Sequence, residues 1–240
     1  MKKAVVITVV LLFTFSFAFL AFGGTIVGSK HDFTGGSGTF LYNTQMLCVF
    51  CHTPHNSNAN VPVLWNRSLP AAGAFTLYNS STLDASQDIS VTRFSLLCLS
   101  CHDGVTAINA VLNNPPDDDL INDTNVFDPG SDTIGAYGNN NPVNIGNSTG
   151  NLANDHPIGF VYDNALVDAD RISGGFSTDQ FVRPGQTQPG YVGNPADNIR
   201  LFGDGRVECT TCHDPHNPDN GRFLVKSNTG SGLCLSCHIK

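Results

Sequence analysis

A mostly irregular, loop-rich fold with a few short helices and minimal strand is what this sequence predicts, and three observations predict it. The composition favours turns: 24 glycines and 13 prolines in 240 residues, with 13% charged and many Asn and Asp, describe a chain poor in regular elements. Beyond the first two dozen residues the apolar stretches are brief, Ile158 to Tyr162 being the sort that forms at most a short strand. Finally, all eight cysteines fall into four copies of one pentapeptide: Cys48-Val49-Phe50-Cys51-His52, Cys98-Leu99-Ser100-Cys101-His102, Cys209-Thr210-Thr211-Cys212-His213 and Cys234-Leu235-Ser236-Cys237-His238.

The pentapeptide is C-x-x-C-H, the attachment signature of c-type haem. Two cysteines spaced in this way sit about one helical turn apart, so both thiols reach the two vinyl groups of one porphyrin, and the next residue brings an imidazole beneath the iron. Short helices are therefore expected at these sites. Four covalently bound haems, each a large apolar plate, would replace much of the interior that regular elements normally supply. Paired zinc sites use four thiolates but leave the four adjacent histidines unexplained. A disulfide framework needs no histidine at all.

Met1-Lys2-Lys3 followed by an apolar run from Ala4 to Phe22, with Ala21 and Gly23 as small residues before a cleavage point, reads as a secretory signal over 1–23. A retained membrane anchor is the alternative. The rest divides into an N-terminal arm with a first dihaem module (24–102), an Asn, Asp and Gly-rich insert carrying His156 (103–206), and a second dihaem module (207–240), together forming one compact unit. The net charge of −8 and the lack of a basic patch argue against nucleic acid as a partner.

The two modules repeat. Cys51-His52-Thr53-Pro54-His55-Asn56 returns as Cys212-His213-Asp214-Pro215-His216-Asn217; each is followed by a polar loop, a short apolar run (Val61 to Trp65, Phe223 to Val225) and a closing Leu-Cys-Leu-Ser-Cys-His at 97–102 and 233–238. In the insert, Asn113 to Asp119 and Asn139 to Asn141 read as loops. The Asp117 to Asp119 cluster lacks the alternating ligands of a calcium loop and reads as a solvated turn. Asn66, Asn79, Asn122 and Asn147 each open an N-x-S/T sequon.

Of eight histidines, His52, His102, His213 and His238 are the proximal ligands, leaving His31, His55, His156 and His216 for four distal positions. Methionine offers little, since Met1 belongs to the signal and only Met46 remains. Bis-histidine ligation is the expectation. His55 lies three residues past His52 on the same face of that haem, so it must serve a neighbouring one. The haem of Cys98 and Cys101 is expected for His55, and that of Cys234 and Cys237 for His216. His156 is expected to cap the Cys209/Cys212 haem. His31 could cap the first haem of its own chain or a haem of another subunit.

The doubled C-x-x-C-H-x-P-H with its downstream L-C-L-x-C-H resembles the paired C-x-x-C-H family of multihaem cytochromes c. Ser29-Lys30-His31-Asp32, Cys48 to Asn56, Leu64-Trp65-Asn66-Arg67, His156-Pro157 and the C-terminal pair are similar, more narrowly, to tetrahaem extracellular cytochromes that polymerise into nanowires. The resemblance implies stacked bis-histidine haems running through a homopolymer, with a histidine of one subunit completing a haem of the next. By that analogy His31 is favoured as the donated ligand. It implies electron transfer to redox proteins or acceptors outside the cell rather than catalysis. A soluble periplasmic shuttle and a multihaem reductase with one open haem are the alternatives.

Overall fold

The computed structural model describes residues 25–34, 42, 44–61, 63–85, 92–114, 133–137, 143–185, 188–194 and 197–239. The signal at 1–23, the Asp117 to Asp119 cluster, Asn139 to Asn141 and the Asn122 sequon lie outside the described residues. No described helix is long and apolar enough to cross a membrane.

The described chain is loop-rich, with short helices and very little strand. Helix α1 (Arg93–His102) begins at Thr92, whose hydroxyl accepts from the Phe94 amide, and ends at Asp103. Its ten residues place Cys98, Cys101 and His102 on the last turns. Helix α2 (Asn164–Ser173) starts under an Asp163 cap that accepts from Leu166 N–H. Helix α3 is the single turn Cys209–Cys212. Strand β1 (Thr76–Leu77) pairs in parallel with β2 (Asn151–Leu152), and β3 (Tyr191–Val192) pairs antiparallel with β4 (Ile199–Arg200).

The stretch Ile158 to Tyr162 does not become a full strand. It pairs briefly with 205–207, Gly159 N–H donating to the Val207 carbonyl and Val207 N–H to that of Phe160. The insert is more ordered than its composition suggests, since α2, β2, β3 and β4 all lie within it. Asp163 and the amphipathic run after it were the available sign of α2.

Three small apolar clusters stand in for one core. Phe33, Tyr42, Phe50, Ile108 and Ile134 pack with Cys51 and Cys101. Phe75, Leu77, Leu96, Leu99 and Leu152 gather on α1. Phe160, Tyr162, Val192, Ile199, Leu201 and Val207 pack with Cys237. Each cluster therefore rests on an attachment motif, so the cofactor-bearing segments and the apolar interior are the same places. Gly104 marks how tightly α1 turns out of its motif: it has φ +80, and a side chain there would run into the Asn144 amide.

Candidate functional site

The first motif of each module is held by the same backbone strap. In the first, His52 Nδ1–H donates to the Val63 carbonyl (2.7 Å), Thr53 N–H to that of Leu64 (2.9 Å), and Asn66 N–H to that of Cys51 (2.8 Å). In the second, His213 Nδ1–H donates to Arg222 (2.9 Å), Asp214 N–H to Phe223 (2.8 Å), and Val225 N–H to Cys212 (3.0 Å). Leu64 and Phe223, at matching places, both adopt positive φ, 52° and 57°. The repeat seen in the letters is thus a repeat in space, with a shorter loop in the second copy.

The closing motifs borrow their straps from the insert. His102 Nδ1–H donates to the Val143 carbonyl (2.7 Å), and Gly146 N–H donates to that of His102. Around the last motif, Val182 N–H donates to the Cys237 carbonyl and Ile239 N–H to Gln180. The Phe181 ring lies 4.8 Å from that of His238. Sequence reasoning missed these straps because they are made by backbone atoms, which leave no residue signature.

A carbonyl can only accept, so each Nδ1 facing one carries the proton and Nε2 is left with its lone pair. This tautomer holds for His52, His102 and His213, and equally for His31 (Pro215 carbonyl, 3.2 Å) and His156 (Pro157 carbonyl, 2.9 Å). His216 sets its Nδ1 3.3 Å from the Asp214 carboxylate. Burial pushes His31 down to about 4, helped by the neighbouring imidazoles of His102, His216 and His213 and opposed by the Pro215 carbonyl. Burial also lowers His102. Both are neutral near pH 7 and chemically ready to bind a metal ion.

The rings come in pairs. His31 lies 6.2 Å from His102, His216 6.1 Å from His52, and His156 6.4 Å from His238, measured between ring centres. Among the described residues, neither His55 nor His213 is paired in this way with another imidazole. The pairings differ from those expected of the tether lengths: His216 meets the first motif rather than the last, His156 meets the last rather than the third, and His31 joins its own chain's second motif. The reason is the docking of α1 on α3, which sets the fronts of the two modules side by side.

That docking runs through Glu208. Its buried carboxylate accepts from the Thr92 hydroxyl (2.6 Å) and from that of Ser95, while Ser95 Oγ accepts from Cys209 N–H (3.0 Å). The Cys98 and Cys209 sulfurs are brought into a hydrogen bond: Cys98 donates, which raises it, and Cys209 accepts, which lowers it. Burial pushes Cys51 and Cys237 up to about 12 and Cys212 to about 11. The first module has its own buried brace. Arg67, wholly enclosed, donates from Nε and Nη2 to Ser100, from Nη1 to Ile108 and from Nη2 to Ala107.

These features fit a covalent haem at each motif. All eight thiols are free, the Nε2 atoms of His52, His102 and His213 are kept unprotonated, and buried donors wait unpaired beside two motifs: Trp65 Nε1, whose ring lies edge-on to His52, and Thr210 Oγ1. Thr210 lines a cavity of about 330 Å³ with Ile199, Phe202, His213, Pro215 and Val225. Among the described residues, no group of three or more His, Cys, Asp and Glu gathers as a bare metal centre does.

No curated protein matches the chain. Residues 202–240 match the family model of the doubled CXXCH motif. That match, together with the attachment pentapeptides, supports a multihaem cytochrome of c type, an electron-transfer protein with covalently bound haem.

Proposed function

We propose that this protein carries electrons along four haems whose irons are closed on both faces by imidazole, and that it does so outside the cell as the repeating subunit of a conducting filament. The three imidazole pairs carry this reading. A metal–imidazole bond of about 2 Å, plus about 1 Å from the bonded nitrogen to its ring centre, separates two ring centres by about 6 Å across one metal ion. The pairs stand at 6.1, 6.2 and 6.4 Å, each joining one proximal histidine to one of the four spare ones.

The assignments follow. His52 and His216 serve the haem of Cys48 and Cys51, His102 and His31 that of Cys98 and Cys101, and His238 and His156 that of Cys234 and Cys237. The remaining proximal ligand is His213 and the remaining donor is His55. His55 sits on an exposed turn, and the cavity beside His213 opens to the surface, so His55 of a neighbouring copy completes this haem. The sequence favoured His31 for that crossing role; its contact with His102 supports keeping it at home.

Haem, when bound, supplies reversible one-electron exchange, and imidazole on both faces favours lower potentials than His/Met ligation. The chain's contribution is to hold five imidazoles, those of His31, His52, His102, His156 and His213, in one tautomer and orientation through backbone carbonyls, and to set Cys98 against Cys209 so that the two modules are joined without a gap. With both faces closed, no position is left for a substrate, and the protein is a carrier rather than an enzyme. Export by the N-terminal signal suits this chemistry, because thiols are joined to haem after translocation.

Spectroscopy of filaments and of dissociated chains tests this directly. All four haems are expected to be low-spin in the filament, with one becoming high-spin on dissociation. A monomer with four low-spin haems would sink the crossing ligand. A second reading, a reductase using an open haem at His213, draws on the cavity there. Carbon monoxide binding by the reduced assembled protein would favour it.

A further inference from the structure

Two side chains with full charge are wholly buried beside the attachment motifs, and neither meets an opposite charge among the described residues. Arg67 directs four hydrogen bonds at three main-chain carbonyls, of Ser100, Ala107 and Ile108. Ser100 lies between Cys98 and Cys101, and the residue before Arg67, Asn66, straps the Cys51 carbonyl. The cation is thus wedged between the first and second motifs. The Glu208 carboxylate accepts from the hydroxyls of Thr92 and Ser95, and Glu208 and Thr211 form the capping box that opens α3, the Glu208 N–H donating to Thr211 Oγ1 (2.9 Å). It adjoins Cys209 and stands where Cys98 and Cys209 meet, between the second and third motifs.

Burying a charge without a counter-ion is costly. Neutral side chains could brace the same loops, and structural need alone does not explain the choice. The reaction does offer a reason. Each haem gains or loses one electron, and the ferric state carries one more positive charge than the ferrous. A fixed cation nearby disfavours the ferric state and a fixed anion favours it, strongly so where water is excluded.

We propose that Arg67 and Glu208 are opposed fixed charges that grade the potentials along the haem row, Arg67 raising the first site and Glu208 lowering the third. At the second site the two act together, and the buried Asp103 carboxylate beside Cys101 further offsets Arg67. Arg67 therefore acts most cleanly at the first site. The influence of Arg67 on Cys51, and of Glu208 on Cys209, follows the same geometry. This inference rests on the electron-carrier reading above.

The test is a potentiometric titration of the haem-loaded protein, followed by its visible absorbance, for wild type, Arg67→Met, Arg67→Lys and Glu208→Gln. Arg67→Met is expected to lower the mean midpoint potential and Glu208→Gln to raise it. Each should move the affected site by about tenfold in its ferric-to-ferrous equilibrium, about 59 mV for a one-electron couple. Arg67→Lys, which keeps the charge, should stay near wild type. Variants that keep the wild-type haem content and spin states with unmoved potentials, or that both move in the same direction, overturn the proposal. If Arg67→Met fails to mature, Glu208→Gln and Arg67→Lys decide alone. A wild-type protein without a haem spectrum defeats the carrier reading instead, so the two failures are distinct.

Discussion

His31, on the N-terminal arm, and His102, the last residue of α1, face each other with ring centres 6.2 Å apart and planes at 62°. The arm is brought there by contacts made on both sides of the ring. Phe223 stacks on it at 4.2 Å, and the Pro215 carbonyl accepts from its Nδ1–H. The second module therefore positions this imidazole against the first.

His31→Ala is expected to convert one haem in four from low to high spin, whether the protein is assembled or not. Magnetic circular dichroism of dissociated chains checks this. A fully unchanged low-spin spectrum would mean that His31 is not a ligand in its own chain.

His55→Ala should behave differently. The isolated chain should keep its spectrum, while filament formation is lost or the filament carries one high-spin haem per subunit. Electron microscopy together with the spectrum separates these outcomes from a folding defect, which would disturb the isolated chain as well.

Acid should release the arm. Asp32 accepts from Gly28 N–H (2.7 Å) and from the Thr34 hydroxyl (2.6 Å) and amide (3.0 Å), and these bonds hold its carboxyl below the ordinary 3.8. A depressed folded value means that the stabilisation is complete above the unfolded value and is lost as pH falls through the folded one. The His31 haem is therefore expected to turn high-spin reversibly below pH 3.8. Asp32→Asn should weaken the turn by about 1 kcal/mol already at neutral pH. A pH titration of the spin state compares the two.

Arg67→Ala leaves the Ser100, Ala107 and Ile108 carbonyls without these donors inside the first module, besides opening a void. The expected loss is about 3 kcal/mol or more, read as a lower denaturation midpoint of the haem-loaded protein.

Reading the sequence succeeded where covalent chemistry dictates spacing. Thioether attachment requires two thiols a turn apart and an adjacent imidazole, so the four motifs and the doubled module stand out in the letters, and matching straps at Val63 and Arg222 hold His52 and His213. The neighbours of the spare imidazoles were not legible, because tether length limits how far His216 can travel from His213 but not in which direction. Direction comes from Glu208 meeting Thr92 and Ser95, a contact between residues more than a hundred positions apart in the chain. The straps from the insert were not legible for a related reason: Asn and Gly mark turns but not what the turns bring together, here Val143 and Gln180 with the motifs.

The straps drawn from the insert set what mutation can do there. At 143, 146, 180 and 182 it is the main-chain carbonyls and amides that grip the second and fourth motifs, and every amino acid except proline offers both. Side chains at 143 and 180 are free to drift, while one at Gly146 would run into the Asp103 backbone and Val182 packs on the third cluster; gaining or losing a single residue shifts the grip off its imidazole. Relatives should therefore differ here in composition far more readily than in spacing.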